Sequence, residues 1–390
     1  MAYQSLTRKR LLQSVGVWAS AWAGGLALGS GSPATAQTKT AQAIQPAKPA
    51  QPTTWRMPDE AAPHARTWMA FGASRAIWGT QLLPEVQRNL ATIALAIARY
   101  EPVSMLVRSA DLPTAQSLMG NQVNLVPCPL DDLWVRDTGP VFVRNAAGQR
   151  AAVDFNFNGW GQKQAHAQDA KVAGFITRLA SEKAAVQGLV TRLVLEGGGI
   201  EVDGEGSAII TESCVLNTNR NPGLTKAQCE QELARLLGIQ KVIWLPGIKG
   251  KDITDGHTDF YARFTAPGVV VAALDTDPQS FDHAVTQRHL QILRTATDAQ
   301  GRTLQVVVLQ APTQVRPQFE SKEFAAGYIN FYVCNGAVIA PEFGDTAADA
   351  AAQKILQNLF KGRDIVQLNI DALAAGGGGI HCATQQEPTA

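Results

Sequence analysis

The chain is sparing with cysteine, with histidine and with charge. Only five of its 390 residues are cysteine and six are histidine. Cys128, Cys214, Cys229, Cys334 and Cys382 stand far apart, with no Cys-x-x-Cys pair and no zinc-ligand spacing, so no cysteine-based metal site is suggested. Charged residues make up 17% and the formal net charge is +1. That leaves no basic field for nucleic acid. The weakly apolar, glycine-containing stretch at 14–28 is too short for a comfortable membrane span.

That stretch has another reading. It follows the basic run Arg8-Lys9-Arg10 and precedes Ala34-Thr35-Ala36, a small-x-small cleavage site, so residues 1–36 read as a secretory leader. The basic start is similar to a twin-arginine signal, with Lys9 in place of the second arginine. Loss of the leader removes Arg8, Lys9 and Arg10 and takes the net charge from +1 to −2. The expected location is therefore exported, periplasmic or secreted, with no membrane attachment after cleavage. Residues 37–54, rich in Gln, Thr, Ala and Pro, read as a linker that cannot bury a core. An odd cysteine count in an exported chain leaves at least one thiol without an intramolecular partner. Twin-arginine export, which moves folded proteins, is compatible with that.

From about Trp55 to the end the pattern is that of one α/β domain with 45% hydrophobic residues over the chain. Amphipathic helical periodicity marks 83–100, 167–183, 225–237, 279–299 and 347–360. Thr225 and Asp345-Thr346 supply start signals. Short β-rich runs lie between, among them 67–71, 103–107, 141–144, 153–157, 193–195, 260–264, 269–274, 328–333 and 337–340. About three strands accompany each helix, and the unit recurs about five times. A doubly wound sheet would need one helix per strand, so a ring of strand units with helices outside is expected.

Five stretches are unusual. The run Gly376-Gly377-Gly378-Gly379-Ile380-His381-Cys382 delivers a cysteine near the end of the chain on a backbone flexible enough to approach a ligand. It reads either as a positioned nucleophile or as a frayed tail. Trp134-Val135-Arg136-Asp137 sets a charge pair beside strands that read as buried, where charges must be paired or used. Glu196-Gly197-Gly198-Gly199 puts a carboxylate at a strand end ahead of glycines. In Asp255-Gly256-His257-Thr258-Asp259-Phe260-Tyr261, strand alternation would place His257, Asp259 and Tyr261 on one face. That pair reads as a metal pair, a base with a cation-holding carboxylate, or a surface patch. Asn330 is an amide inside an aromatic strand, either a satisfied core group or a substrate contact.

One cysteine, one histidine and several carboxylates suggest nucleophilic catalysis at a cationic carbon. An acyl-transfer thiol enzyme needs oxyanion donors rather than a ring of acids. A guanidinium, planar and always charged, offers paired N–H groups that carboxylates accept side by side. A guanidine-binding protein without activity, and a metal hydrolase built on His257 and Asp259, are the competing readings.

Together, Trp-x-Arg-Asp-Thr-Gly-Pro, Glu-Gly-Gly, Gly-His-x-Asp, Tyr-x-Asn-Phe-Tyr and Gly-Gly-x-Ile-His-Cys-x-Thr-Gln-Gln-x-Pro resemble the agmatine deiminase family, which includes a bacterial type of peptidylarginine deiminase. The likeness runs in order from Trp55 to Pro388. It implies the pentein fold, an α/β-propeller of five pseudo-symmetric ββαβ-type units around a central active site. It implies Cys382 as nucleophile, His257 as general acid/base, and Asp137 and Asp259 as the grip on the guanidinium. Glu196 and Asn330 would line the substrate site and Trp134 would wall it. No metal or organic cofactor is implied, and the partner is a small cationic guanidino substrate, agmatine or an arginyl peptide. The chain leaves open whether it acts as a monomer or a homo-oligomer. One position departs: members acting on agmatine often carry an acid four residues before the histidine, and Ile253 stands there. A carboxylate-bearing substrate would call for a nearby Arg144 or Arg263.

Overall fold

The computed structural model describes residues 54–319 and 324–390. The leader, and the linker up to residue 53, lie outside the described residues.

Among the described residues, five small sheets account for all sixteen strands. Four of them share one pattern: an antiparallel hairpin, then a helix, then a third strand parallel to the second. They are β4 (Val141–Arg144), β5 (Arg150–Asp154) and β6 (Val186–Val190); β7 (Ile200–Val202), β8 (Ser207–Thr211) and β9 (Lys241–Leu245); β10 (Ala262–Ala266), β11 (Val269–Leu274) and β12 (Gln305–Gln310); and β13 (Tyr332–Cys334), β14 (Ala337–Glu342) and β15 (Asp364–Asn369). The remaining sheet joins the two ends of the domain. The last strand, β16 (Thr384–Pro388), pairs antiparallel with β1 (His64–Phe71), and β2 (Val103–Val107) and β3 (Asn124–Pro127) follow in parallel. The chain's end thus supplies the first strand of the first module.

Side-chain alternation explains why these strands read as plain apolar runs. Ile210 packs with Val141 and Val153 of the preceding module, and its neighbour Ile209 packs with Val270 and Leu290 of the next. Val270 faces back in the same way while Val271 joins Val333 and Val338. On β1, Trp68 and Ala70 meet Phe142, whereas Met69 and Phe71 meet the β13–β14 module. Successive residues of a strand point to opposite faces, and here both faces are buried. Followed round, the shared cores run through all five modules and return to the first, which closes the ring.

The helices lie close to the expected segments. Thr225 forms a capping box with Gln228 ahead of Lys226–Leu237, and the Asp345 side chain accepts the Ala348 N–H ahead of Thr346–Leu359. The helix expected at 83–100 begins earlier, at Arg75, and runs to Ala98 with Gly79 at φ 69 and Pro84 inside it; those two residues hid its first turns. The helix expected from 279 starts at His283, because Asp277 and Ser280 side chains take the preceding backbone N–H groups into turns. Leu112–Met119 is an additional helix. The run 193–195 is extended but outside any sheet, and Val186–Val190 takes the edge position.

The closing strand is held by a buried carboxylate. Glu387, 2% exposed, accepts from Arg150 Nη1 at 2.7 Å and Trp68 Nε1 at 2.9 Å, with Arg66 Nε at 3.3 Å. Glu387→Ala leaves the buried Arg150 without its counter-charge and is expected to remove about 3–5 kcal/mol of stability. Denaturant unfolding measures it, and a loss below about 1 kcal/mol would show that ring closure does not depend on this contact.

Candidate active site

Each of the five stretches singled out in the sequence lies just before the first strand of a module. Asp137 precedes β4, Glu196 precedes β7, His257 and Asp259 precede β10, Asn330 precedes β13 and Cys382 precedes β16. The ring therefore brings five sequence-distant turns to one place.

Residues Thr258–Phe260 form a 3-10 turn and the strand begins only at Ala262, so strand alternation does not set the orientation of His257 and Asp259. Both reach the site from the turn. Tyr261 does not: its hydroxyl donates to Asp282 at 3.0 Å and its ring packs on His289.

Gly198 marks where the groups converge. A Cβ on it would lie 2.6 Å from His257 Nδ1, 2.9 Å from Asp137 Oδ1 and 3.1 Å from Asp259 Oδ2. Asp137 is oriented by two donors, Gly198 N–H at 3.0 Å and Trp160 Nε1 at 2.9 Å. Trp160 holds φ 54, a left-handed backbone that costs a non-glycine residue energy, and the Asn158 side chain pins that turn by accepting the Gly161 N–H at 2.7 Å. Asp259 Oδ1 is buried without a hydrogen-bond partner. An orphaned buried acceptor of this kind is one that a ligand donor satisfies.

Cys382 is 7% exposed and bracketed by Asn330, which donates from Nδ2 to the sulfur at 3.3 Å and accepts the Cys382 N–H at 3.3 Å. The thiol lies 3.5 Å from Asp259 Oδ2. Burial, then Asp259 and Asp137, push the thiol well above its ordinary range. Asn330 therefore lies in the site as expected from its sequence setting and contacts the cysteine from both ends of its amide.

Glu196 is fully buried, both its oxygens accept from Arg220 Nε at 2.8 and 2.9 Å, and Oε2 faces His257 Nε2 at 3.3 Å, so its contacts in this structure are to Arg220 and the histidine. Burial works against a charge on His257, but Asp137, with its Oδ1 3.7 Å from Nδ1, together with Cys214 and Glu196 outweighs it and holds the imidazole well above its ordinary range. The ring carries its proton at neutral pH.

Trp134 stands where a wall was expected, 6% exposed and tilted against Trp78 with ring centroids 5.9 Å apart. The glycine run makes room for this wall more than for a ligand. A Cβ at Gly376 would lie 2.0 Å from Trp78 Cη2, at Gly378 2.3 Å from Trp134 Cζ3, and at Gly379 2.5 Å from Asn330 Oδ1. The stretch is ordered, with residues 378–388 buried.

Several residues beneath the site carried no sequence signal that was read. His381 Nδ1 lies 2.7 Å from Asp259 Oδ2 and Nε2 lies 2.8 Å from Glu60 Oε2. Burial with Arg136 and Arg263 opposes a charge on this ring, yet a neutral ring would turn a lone pair on one carboxylate. The contacts decide for the imidazolium. Arg263 is 1% exposed and occupied by Glu60 and Glu201, so it does not serve a substrate carboxylate. The two glycines flanking Trp160 in Gly159-Trp160-Gly161, a turn signal, are what a sequence reading could have found.

A five-module ring with a thiol, an imidazole and two carboxylates at its centre defines a pentein hydrolase acting on guanidino C–N bonds. The chain belongs to the Porphyromonas-type peptidyl-arginine deiminase family, whose sequence pattern matches residues 56–388. It is 37% identical to the agmatine deiminase of Pseudomonas fluorescens, over 86% of this chain and 95% of that one. It is 36% identical to the agmatine deiminase of Pseudomonas aeruginosa, with the same coverages of 86% and 95%. The solved structure of the Enterococcus faecalis agmatine deiminase superposes with a TM-score of 0.80 at 33% identity, over 86% of this chain and 96% of that one.

The convergence on Gly198 makes it the most sensitive neutral position of the site. Gly198→Ala is expected to lower kcat/KM at least about 100-fold while leaving the unfolding midpoint near that of the parent. Turnover within a few fold of the parent would show that the space beside Gly198 is not where the reacting group sits.

Proposed function

We propose that the chain hydrolyses agmatine to N-carbamoylputrescine and ammonia. The observation that carries this reading is the convergence of Asp137, Asp259 and His257 beside Gly198, within reach of a cysteine whose thiol touches Asp259. The pair of carboxylates suits a guanidinium plane, and the similarity to agmatine deiminases named above supports the choice of agmatine.

The electrostatics favour a nucleophile armed by its own substrate. In the free site burial, with the two aspartates, pushes the Cys382 thiol well above its ordinary range. A bound guanidinium neutralises them and lowers the cost of the thiolate. The thiolate then attacks the central guanidino carbon. Holding the plane still between Asp137 and Asp259 contributes several kcal/mol where the geometry is close to attack. The His257 imidazolium gives its proton to the departing nitrogen, which leaves as ammonia. The resulting S-alkylthiouronium is hydrolysed by water, whose proton the same imidazole takes, and the sulfur departs as the ureido product forms.

One observation favours a second reading, an arginyl peptide as substrate. Ile253 packs against the apolar core, and Lys163 Nζ donates to its carbonyl at 3.0 Å. Asp255 does not replace the missing acid, because it is occupied by Lys163 at 2.7 Å and Arg220 at 2.8 Å. Asp252 is engaged by the Thr254 N–H at 2.6 Å. Neither acid beside Ile253 among the described residues is left free for a distal ammonium, whereas the far end of an arginyl peptide is neutral. Release of ammonia and ureido product is to be measured on agmatine and on arginyl peptides side by side. Agmatine is expected to have the higher kcat/KM and Cys382→Ala to abolish turnover. Preference for the peptide selects the second reading, and full turnover by Cys382→Ala sinks the mechanism.

We also propose export of the mature chain from Gln37, on the strength of the leader. Support comes from the five cysteines, which are all free and buried, as a protein folded before export permits. The N-terminal sequence of the extracytoplasmic protein is expected to begin at Gln37; a retained leader contradicts it.

A further inference from the structure

The reaction uses one thiol, yet a second sits against the histidine. Cys214 is fully buried in the Glu212–Val215 turn after β8, and its sulfur lies 3.5 Å from Glu196 Oε2. His257 Nε2 is 3.3 Å from the same oxygen. The three ligand-type atoms all fall within 4.8 Å of one another. We propose that Glu196, Cys214 and His257 form a binding site for a thiophilic divalent cation of the zinc class, and that filling it switches the enzyme off.

The shape of the cluster carries the argument. A tetrahedral zinc with bonds of about 2.0–2.1 Å to nitrogen and oxygen and about 2.3 Å to sulfur has ligand-to-ligand edges of about 3.3–3.6 Å. The measured separations of 3.3 and 3.5 Å already match two of those edges. The donor set, one thiolate, one imidazole and one carboxylate, selects zinc-like cations over magnesium or calcium. The supporting groups are also of the kind metal sites use. Asp137 Oδ1 stands 3.7 Å from the far ring nitrogen of His257, and Arg220 fixes both oxygens of Glu196.

Binding displaces one proton from the Cys214 thiol and one from the His257 imidazolium, and Glu196 enters as the carboxylate it already is. No oxidant or reductant is involved. With the cation in place of the Nε2 proton, loss of the Nδ1 proton that faces the site would leave an imidazolate, so His257 is a poor donor to the leaving nitrogen, and Nδ1, already protonated, takes no proton from water. The switch rests on the acid/base role given to His257 above; the cation site itself does not.

Cobalt(II) is the probe, added to metal-free full-length protein carrying Cys382→Ser so that the nucleophile's thiol cannot answer. One equivalent is expected to bind with a near-ultraviolet thiolate-to-cobalt charge-transfer band that zinc displaces. Adding Cys214→Ser is expected to remove the band and weaken binding at least about tenfold. Absence of the band in Cys382→Ser protein, or its survival without Cys214, overturns the site, and the first of these needs no change at Cys214. In the parent enzyme, zinc is expected to inhibit turnover and a chelator to restore it, with Cys214→Ala raising the half-inhibiting zinc concentration at least about tenfold. A band from Cys214 without any loss of turnover would overturn the switch and the role of His257 while leaving the cation site in place.

Discussion

One carboxylate, Glu60, holds the centre of this molecule together. It accepts from Arg263 at 2.8 Å, Arg136 at 2.9 Å, His381 at 2.8 Å and the Val333 N–H at 2.8 Å. Those partners come from the segments that carry β4, β10, β13 and β16, and Arg263 reaches on to Glu201 of β7 at 2.6 Å. Five modules that share no local sequence are thus tied at the axis by buried charge. Burial alone would raise Glu60, but Arg263, His381 and Arg136 hold it well below the usual carboxylate range. Groups of this kind cost several kcal/mol each to desolvate and are stable only as a complete set. Two of the charged partners are chain neighbours of the reacting groups: Arg136 precedes Asp137 and His381 precedes Cys382.

The site above that cluster resolves a conflict of charge. Two carboxylates are needed to hold a guanidinium, and the same two suppress the thiolate that must attack it. His257 adds a cation but stands toward Asp137 and Glu196. On the mechanism proposed above, a bound guanidinium offsets the two aspartates' share of the thiol's raised pKa, burial being the larger share. Asn330 and the glycine run contribute order rather than charge: the amide brackets the sulfur, and the absent side chains make room for Trp78 and Trp134 against the run.

Much of this was legible in the chain. Periodicity and cap residues gave the repeated helices, and the five unusual stretches are the five turns at the axis. What misled was the assumption that Asp255 to Tyr261 is a strand. A 3-10 turn orients His257 and Asp259, and nothing in residue spacing distinguishes it from the strand that follows at Ala262. Polarity in an apolar setting shows that Glu196 and Asn330 have partners without showing which. Glu60 stayed hidden because its partners lie far along the chain, Arg220 and Cys214 because they meet Glu196 across loops of their own module with no regular spacing, and Trp160 because its contact depends on one positive φ.

The central claim is covalent: the sulfur of Cys382 takes the guanidino carbon from a substrate held by Asp137 and Asp259. The direct measurement is a rapid acid quench of agmatine turnover followed by mass analysis of the peptide that contains Cys382. The account predicts an adduct on Cys382 with the mass of agmatine less ammonia, formed and consumed at rates consistent with kcat. Full turnover by the parent enzyme with no such adduct at any quench time, or an adduct carried by another residue, would contradict it.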